Sequence, residues 1–158
     1  MLRTAKLGLG IVTLGLAMAV APVALAGASQ DGLAASGPTP TAAVCSLVKS
    51  EQTAFAKVAK KQEKNLGSKS IAKVKAASLI VFTADVKAEN AVIAQLGSAP
   101  ASIQAAAATS TQLNNKLKSV IQSATSISGL QAAETKAEKD SKTVKAEKVL
   151  NAFFNKCK

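Results

Sequence analysis

The chain has 158 residues, of which 48% are hydrophobic and 3% aromatic, and its 20 basic and 9 acidic residues give a formal net charge of +11. Histidine is absent, which excludes catalytic triads with an imidazole base and metal sites built on histidine. A core made from Ala, Val, Ile and Leu favours closely packed helices, so the composition predicts an all-α domain.

Residues 1–26 have the pattern of a secretory signal peptide. Arg3 and Lys6 form a positively charged start, an uncharged apolar run follows over Leu7–Val23, and Ala-Leu-Ala at 24–26 is a cleavage motif. A membrane anchor is the competing interpretation, but glycines and a proline interrupt the apolar run. We expect cleavage after residue 26. The protein is then secreted or associated with the cell envelope, and no transmembrane segment remains after cleavage.

The segment after the cleavage motif divides into a leader and a domain. Residues 27–39 are small, polar and interrupted by Gly and Pro, which predicts a flexible leader before a domain over 40–158. Apolar residues at intervals of three and four predict a first helix over Pro40–Asn65, with Thr39 as its cap. Gly67 suits the left-handed position that ends many helices.

The second predicted helix covers Lys69–Leu96. It contains the continuous apolar run Leu79–Phe82, which alone would be typical of a buried strand. We favour a helix because the interval of three and four residues continues on both sides of the run. Four consecutive apolar residues face all sides of a helix, so this run forms either core or a contact surface.

Two further helices complete the predicted fold. The third covers Pro100–Ile127, and Ser128 with Gln131 has the spacing of a capping box for a fourth helix over Gly129–Lys156. Four long helices joined by short loops place sequence neighbours antiparallel. The sequence therefore predicts an up-down-up-down four-helix bundle.

The two cysteines, Cys45 and Cys157, lie near the two ends of the predicted bundle. In an exported protein, a single pair most simply forms one disulfide. The predicted topology brings the start of the first helix and the end of the fourth to the same end of the bundle. Closing a loop of this length contributes about 4–5 kcal/mol in the chain-entropy model.

Basic residues are concentrated over residues 57–75, where Glu63 is the one acid. In the predicted bundle this segment surrounds the turn between the first two helices. A solvated surface is the simplest interpretation, and a site for anions is the functional alternative. The lysines of this candidate site are Lys57, Lys60, Lys61, Lys64, Lys69, Lys73 and Lys75.

The acidic residues offer little catalytic chemistry. The pair that we single out is Asp85 and Glu89, which are spaced to share a helical face, and we expect a solvated pair near Lys87. Because Asp85 lies beside the apolar stripe, a buried carboxyl with a raised pKa is the alternative. We expect no enzymatic activity, no cofactor and no metal site.

Three functional hypotheses follow. The first is a structural or binding module of the bacterial envelope, held to anionic polymers or lipid headgroups through the lysines. The second is a carrier of a small apolar ligand, in a pocket between Leu79–Phe82 and Ile103–Leu117. The third, a hydrolase that uses acids alone, is disfavoured. Specific nucleic-acid binding is not expected, because arginine is absent after residue 3 and aromatic residues are few.

Overall fold

The computed structural model describes residues 38–157, with the exception of the Glu138 side chain. The predicted signal peptide, residues 27–37 of the predicted leader and residue 158 lie outside the described residues. Within this range the chain forms five α-helices and no strand, which confirms the all-α prediction. The helices are α1 (Ala42–Leu66), α2 (Ile71–Ile93), α3 (Ala101–Ser123), α4 (Ile127–Glu138) and α5 (Ser141–Phe154).

The ends of α1 differ from the prediction in detail. Its cap is Thr41 rather than Thr39, and the Thr41 hydroxyl accepts a hydrogen bond of 3.2 Å from the backbone N–H of Val44. Gly67 has φ −79°, so it is not in the left-handed region and that prediction is wrong. Its N–H donates to the carbonyl of Glu63 at 3.1 Å, which continues the helical hydrogen-bonding pattern by one residue.

The run Leu79–Phe82 is helical, as the longer pattern indicated. Val81 and Phe82 are buried, whereas Ile80 retains 48% of its surface exposed. The run thus contributes both to the core and to the surface. The helix itself starts two residues later than predicted, at Ile71, and leaves Lys69 in the turn.

The prediction of one continuous helix over Gly129–Lys156 is wrong, because Asp140 divides it. The Asp140 carboxylate accepts hydrogen bonds of 3.1 Å from the backbone N–H groups of Lys142 and Thr143, which are the first free donors of α5. This local bond competes with a continuous helix. Ser126 caps α4 in the same way, two residues before the predicted position.

Each helix packs on its sequence neighbour, and α3 contacts α2, α4 and α5. Two clusters of buried apolar residues form the core. The disulfide-end cluster comprises Val44, Val48, Ala88, Val92, Leu96, Ile103, Ala106, Ala107, Ala146, Leu150, Phe153 and Phe154. The turn-end cluster comprises Val74, Phe82, Leu117, Ile121 and Leu130.

The predicted disulfide is confirmed. Cys45 and Cys157 are bonded with their Cα atoms 5.0 Å apart, across a sequence separation of 112 residues. The bond joins the first turns of α1 to the residues that follow α5, beside Val44 and Phe154 of the disulfide-end cluster. It therefore fixes the two ends of the domain to one another.

Candidate functional site

The lysine-rich segment forms an exposed surface on α1, the turn after it and the start of α2. Six of its seven lysines are exposed. Four of them recur on α1 at intervals of three and four residues and therefore share one face of the helix. Glu63, the one acid of the segment, is also exposed. We call the six exposed lysines the lysine hairpin: Lys57, Lys60, Lys61, Lys64, Lys69 and Lys73.

Lys75 does not belong to this exposed surface. It is half-buried, and its ammonium group donates a hydrogen bond of 3.3 Å to the carbonyl oxygen of Ala124, just after α3. The bond connects the start of α2 to the end of α3. Lys75 therefore takes part in helix packing, unlike the other six lysines of the predicted anion site.

A shallow groove of about 470 Å³ runs along α1 beside the lysine hairpin. Lys49, Lys57 and Lys60 line it together with the neutral side chains of Gln52 and Thr53. Among the described residues, no acidic side chain lines this groove. The positive surface thus continues from the turn along α1.

The carboxyl pair on α2 is buried rather than solvated, so the favoured interpretation was wrong. Asp85 is 1% exposed and Glu89 is 4% exposed. Two side chains of α3, the Ser110 hydroxyl and the Asn114 amide, donate hydrogen bonds to the Glu89 carboxylate. Along α2 and α3, Asp85, Ser110 and Asn114 lie between the two apolar clusters, and Glu89 follows Ala88 of the disulfide-end cluster. They form a polar layer across the core.

Burial changes the titration of both carboxyl groups. Desolvation, with a smaller contribution from the charge of Glu89, raises the pKa of Asp85 from 3.8 to about 7. Desolvation also raises the pKa of Glu89, against the opposing effect of the hydrogen bonds from Ser110 and Asn114. Neither carboxyl oxygen of Asp85 has a hydrogen-bond partner within residues 38–157. Both groups can titrate, but their burial separates them from any substrate in solvent.

The buried acids make the surface more basic than the sequence suggests. Of the seven acidic side chains that the structure describes, three are buried: Asp85, Glu89 and Glu134. The exposed lysines therefore face fewer exposed carboxylates than composition alone predicts.

A cavity that reaches Leu113 and Leu117 lies between α3, α4 and α5, and its volume is about 440 Å³. The carrier hypothesis placed a pocket between the third helix and Leu79–Phe82 instead. Val81 and Phe82 of that run are buried core residues and do not line this cavity. The sequence could not indicate the cavity, because it depends on the break between α4 and α5.

Asp140 lies on this cavity as well as capping α5. The pKa of Asp140 lies below its ordinary value, chiefly because its carboxylate accepts a hydrogen bond from the backbone N–H of Thr143. The charge of Lys116 lowers this pKa further. The carboxylate is therefore ionised at neutral pH, and it accepts hydrogen bonds from backbone N–H groups at the start of α5.

Residues 38–157, apart from the Glu138 side chain, contain neither a membrane-spanning helix nor a cluster of metal-binding side chains. No helix in that range is both long and apolar enough to cross a membrane. The same range contains no group of three or more His, Cys, Asp or Glu side chains that could hold a metal ion. Comparisons with protein-family models, curated proteins and solved structures gave no match.

Proposed function

We propose that this protein is an exported, non-enzymatic binding module of the bacterial envelope or exterior, which attaches to anionic polymers or lipid headgroups through the lysine hairpin. The observation that carries the proposal is the exposure of six lysines around one turn, with Glu63 as the one acid among residues 57–75. The signal-peptide pattern of residues 1–26 supports export.

The chemistry of lysine defines the kind of binding. An ammonium group is a compact point charge without the planar geometry that arginine uses to recognise one phosphate or carboxylate. A set of such charges attracts any dense anionic surface and releases its counterions, so affinity falls steeply as salt concentration rises. The proposed partner is therefore recognised by charge density rather than by one specific group.

We further propose that α4 and α5 together take the place of a fourth helix in an up-down-up-down bundle. Val44 near the start of α1 clusters with Val92 near the end of α2 and with Phe153 at the end of α5. In this topology the lysine hairpin lies at the end opposite the disulfide. The proposed binding surface is then far from the Cys45–Cys157 disulfide.

Charge reversal tests the proposed surface. The variant carries Lys57→Glu, Lys61→Glu, Lys64→Glu and Lys69→Glu, all at exposed positions outside the apolar clusters. Each lysine near an anionic membrane contributes about 1 kcal/mol, so the loss of four attractions predicts a decrease in affinity of about a thousandfold for phosphatidylglycerol vesicles. Co-sedimentation with these vesicles and with isolated cell wall, at low and moderate salt, measures the effect.

A matched variant carries the same change of net charge elsewhere, at exposed lysines outside the hairpin: Lys118→Glu, Lys139→Glu, Lys145→Glu and Lys148→Glu. The proposal predicts that this variant keeps most of its binding. Equal loss in both variants would show that net charge alone matters. Binding that neither reversal reduces would show that the lysine hairpin is only a solvated surface.

A further inference from the structure

The cavity between α3, α4 and α5 has an apolar floor. Leu117 is buried, while Leu113, Val120, Ala133 and Ala137 are half-buried. The remaining surface of these side chains lies in a cavity of about 440 Å³, a size typical of small-molecule sites. Uncovered apolar surface of this kind favours an apolar ligand.

The rim of the cavity is cationic. Lys116, Lys136 and Lys142 are exposed there, one from each of the three helices. Asp140 is the one acidic side chain among the described residues that line the cavity. Its carboxylate already accepts hydrogen bonds from the backbone N–H groups of Lys142 and Thr143. The lining therefore carries an excess of positive charge.

We propose that this cavity binds a small amphipathic carboxylate, whose hydrocarbon chain lies on the apolar floor and whose carboxylate contacts the lysine rim. The start of α5 does not supply the anion site, because Asp140 caps the first N–H groups of that helix. The cations that line the cavity are the ammonium groups of Lys116, Lys136 and Lys142, of which Lys116 also acts on the charge of Asp140.

The lining also selects against other ligand classes. None of the described residues that line the cavity is aromatic, so a base or a flat ring would have no side chain on which to stack. The three lysines would repel an amphipathic cation with a similar hydrocarbon chain. An uncharged molecule with the same chain would not be attracted by the lysines of the rim. Charge complementarity and the apolar floor together favour a single-chain carboxylate.

This site is separate from the lysine hairpin, since no lysine of the hairpin lines the cavity. The inference therefore does not depend on the proposed attachment to anionic surfaces. A carboxylate ligand could be bound whether or not the protein is held on the envelope.

Calorimetric titration of the disulfide-bonded protein with laurate, below the concentration at which laurate forms micelles, tests the proposal. We expect saturable binding with one laurate per chain. Dodecanol, with the same chain and no charge, should bind at least about tenfold more weakly, and dodecylammonium should not bind. Dodecanol binding as tight as that of laurate, or an absence of saturable laurate binding, would overturn the proposal.

Two pairs of variants locate the site. Ala133→Leu fills the cavity and should weaken laurate binding by at least about tenfold, whereas Ala132→Leu, on an exposed position of the same helix, should not. Lys136→Gln should weaken binding by about threefold, and Lys139→Gln, an exposed lysine outside the cavity, should leave it unchanged. Equal effects within both pairs would contradict the assignment to this cavity.

Discussion

Replacing Asp85 with Asn should make the domain more stable at alkaline pH. The group is 1% exposed, neither of its oxygens has a hydrogen-bond partner among the described residues, and its pKa rises from 3.8 to about 7. A folded state with the higher pKa binds the proton more tightly than the unfolded chain does. The contribution of Asp85 is therefore most favourable below about pH 4 and is lost as the pH rises through about 7.

The pKa values set the size of the effect. A change from 3.8 to about 7 corresponds to about 4 kcal/mol between the two protonation states. Asn has nearly the same shape as the protonated carboxyl group and does not titrate. At about pH 5, Asp85 is still mostly protonated in the folded protein, so the free energy of unfolding of Asp85→Asn exceeds that of the wild type by about 2 kcal/mol or less. At about pH 8.5 the difference is about 4 kcal/mol.

Urea unfolding of both proteins across this pH range measures the difference in the free energy of unfolding. Glu63→Gln removes an exposed carboxyl group and provides the matched control, for which we expect a free energy of unfolding within about 0.5 kcal/mol of the wild type. Glu89 titrates in the same direction, so some pH dependence remains in the Asp85→Asn protein. If Asp85→Asn kept the full pH dependence of the wild type, the reasoning about desolvation would be refuted.

Three further changes test the fold. Reduction of the Cys45–Cys157 bond should lower the free energy of unfolding by up to about 4–5 kcal/mol and raise the intact mass by about two hydrogens, as thermal unfolding and mass spectrometry will show. Leu130→Ala, at a fully buried position of the turn-end cluster, should cost about 2–5 kcal/mol in urea unfolding, and a loss below 1 kcal/mol would contradict its place in the core. Thr41→Ala should cost about 1 kcal/mol by removing the cap of α1, and Thr41→Ser, which keeps the hydroxyl, should restore most of that stability.

The sequence predicts the features that depend on local periodicity and on covalent chemistry, namely the first three helices and the disulfide. Apolar residues at intervals of three and four placed α1, α2 and α3 to within a few residues, and the compartment inferred from the N-terminal segment predicted the Cys45–Cys157 bond. The sequence does not predict the break at Asp140, because residues 138–143 are all polar and give no apolar pattern that would show where one helix ends and the next begins. The hydrogen bonds that the Asp140 carboxylate accepts from the start of α5 decide where the helix divides. The cavity beside α4 follows from that break, so it was not predictable either.

The buried carboxyl pair shows a second feature that the sequence alone does not predict. The sequence placed Asp85 beside the apolar stripe of its helix, but only the packing of α3 decides whether the group is solvated. A signal was present, since Ser110 occupies a position of the apolar stripe of the third helix and Asn114 follows it by one turn. Polar residues in an apolar stripe indicate a partner across the helix interface, which here is Glu89.

Lysine acetylation in the presence and absence of phosphatidylglycerol vesicles tests the central claim most directly, because it needs no substitution. We expect reactivity to fall over the lysine hairpin when vesicles are added and to return at moderate salt, whereas Lys139, Lys145 and Lys148, which lie outside the hairpin, keep their reactivity. Equal protection of all exposed lysines, or protection confined to Lys139, Lys145 and Lys148, would contradict it.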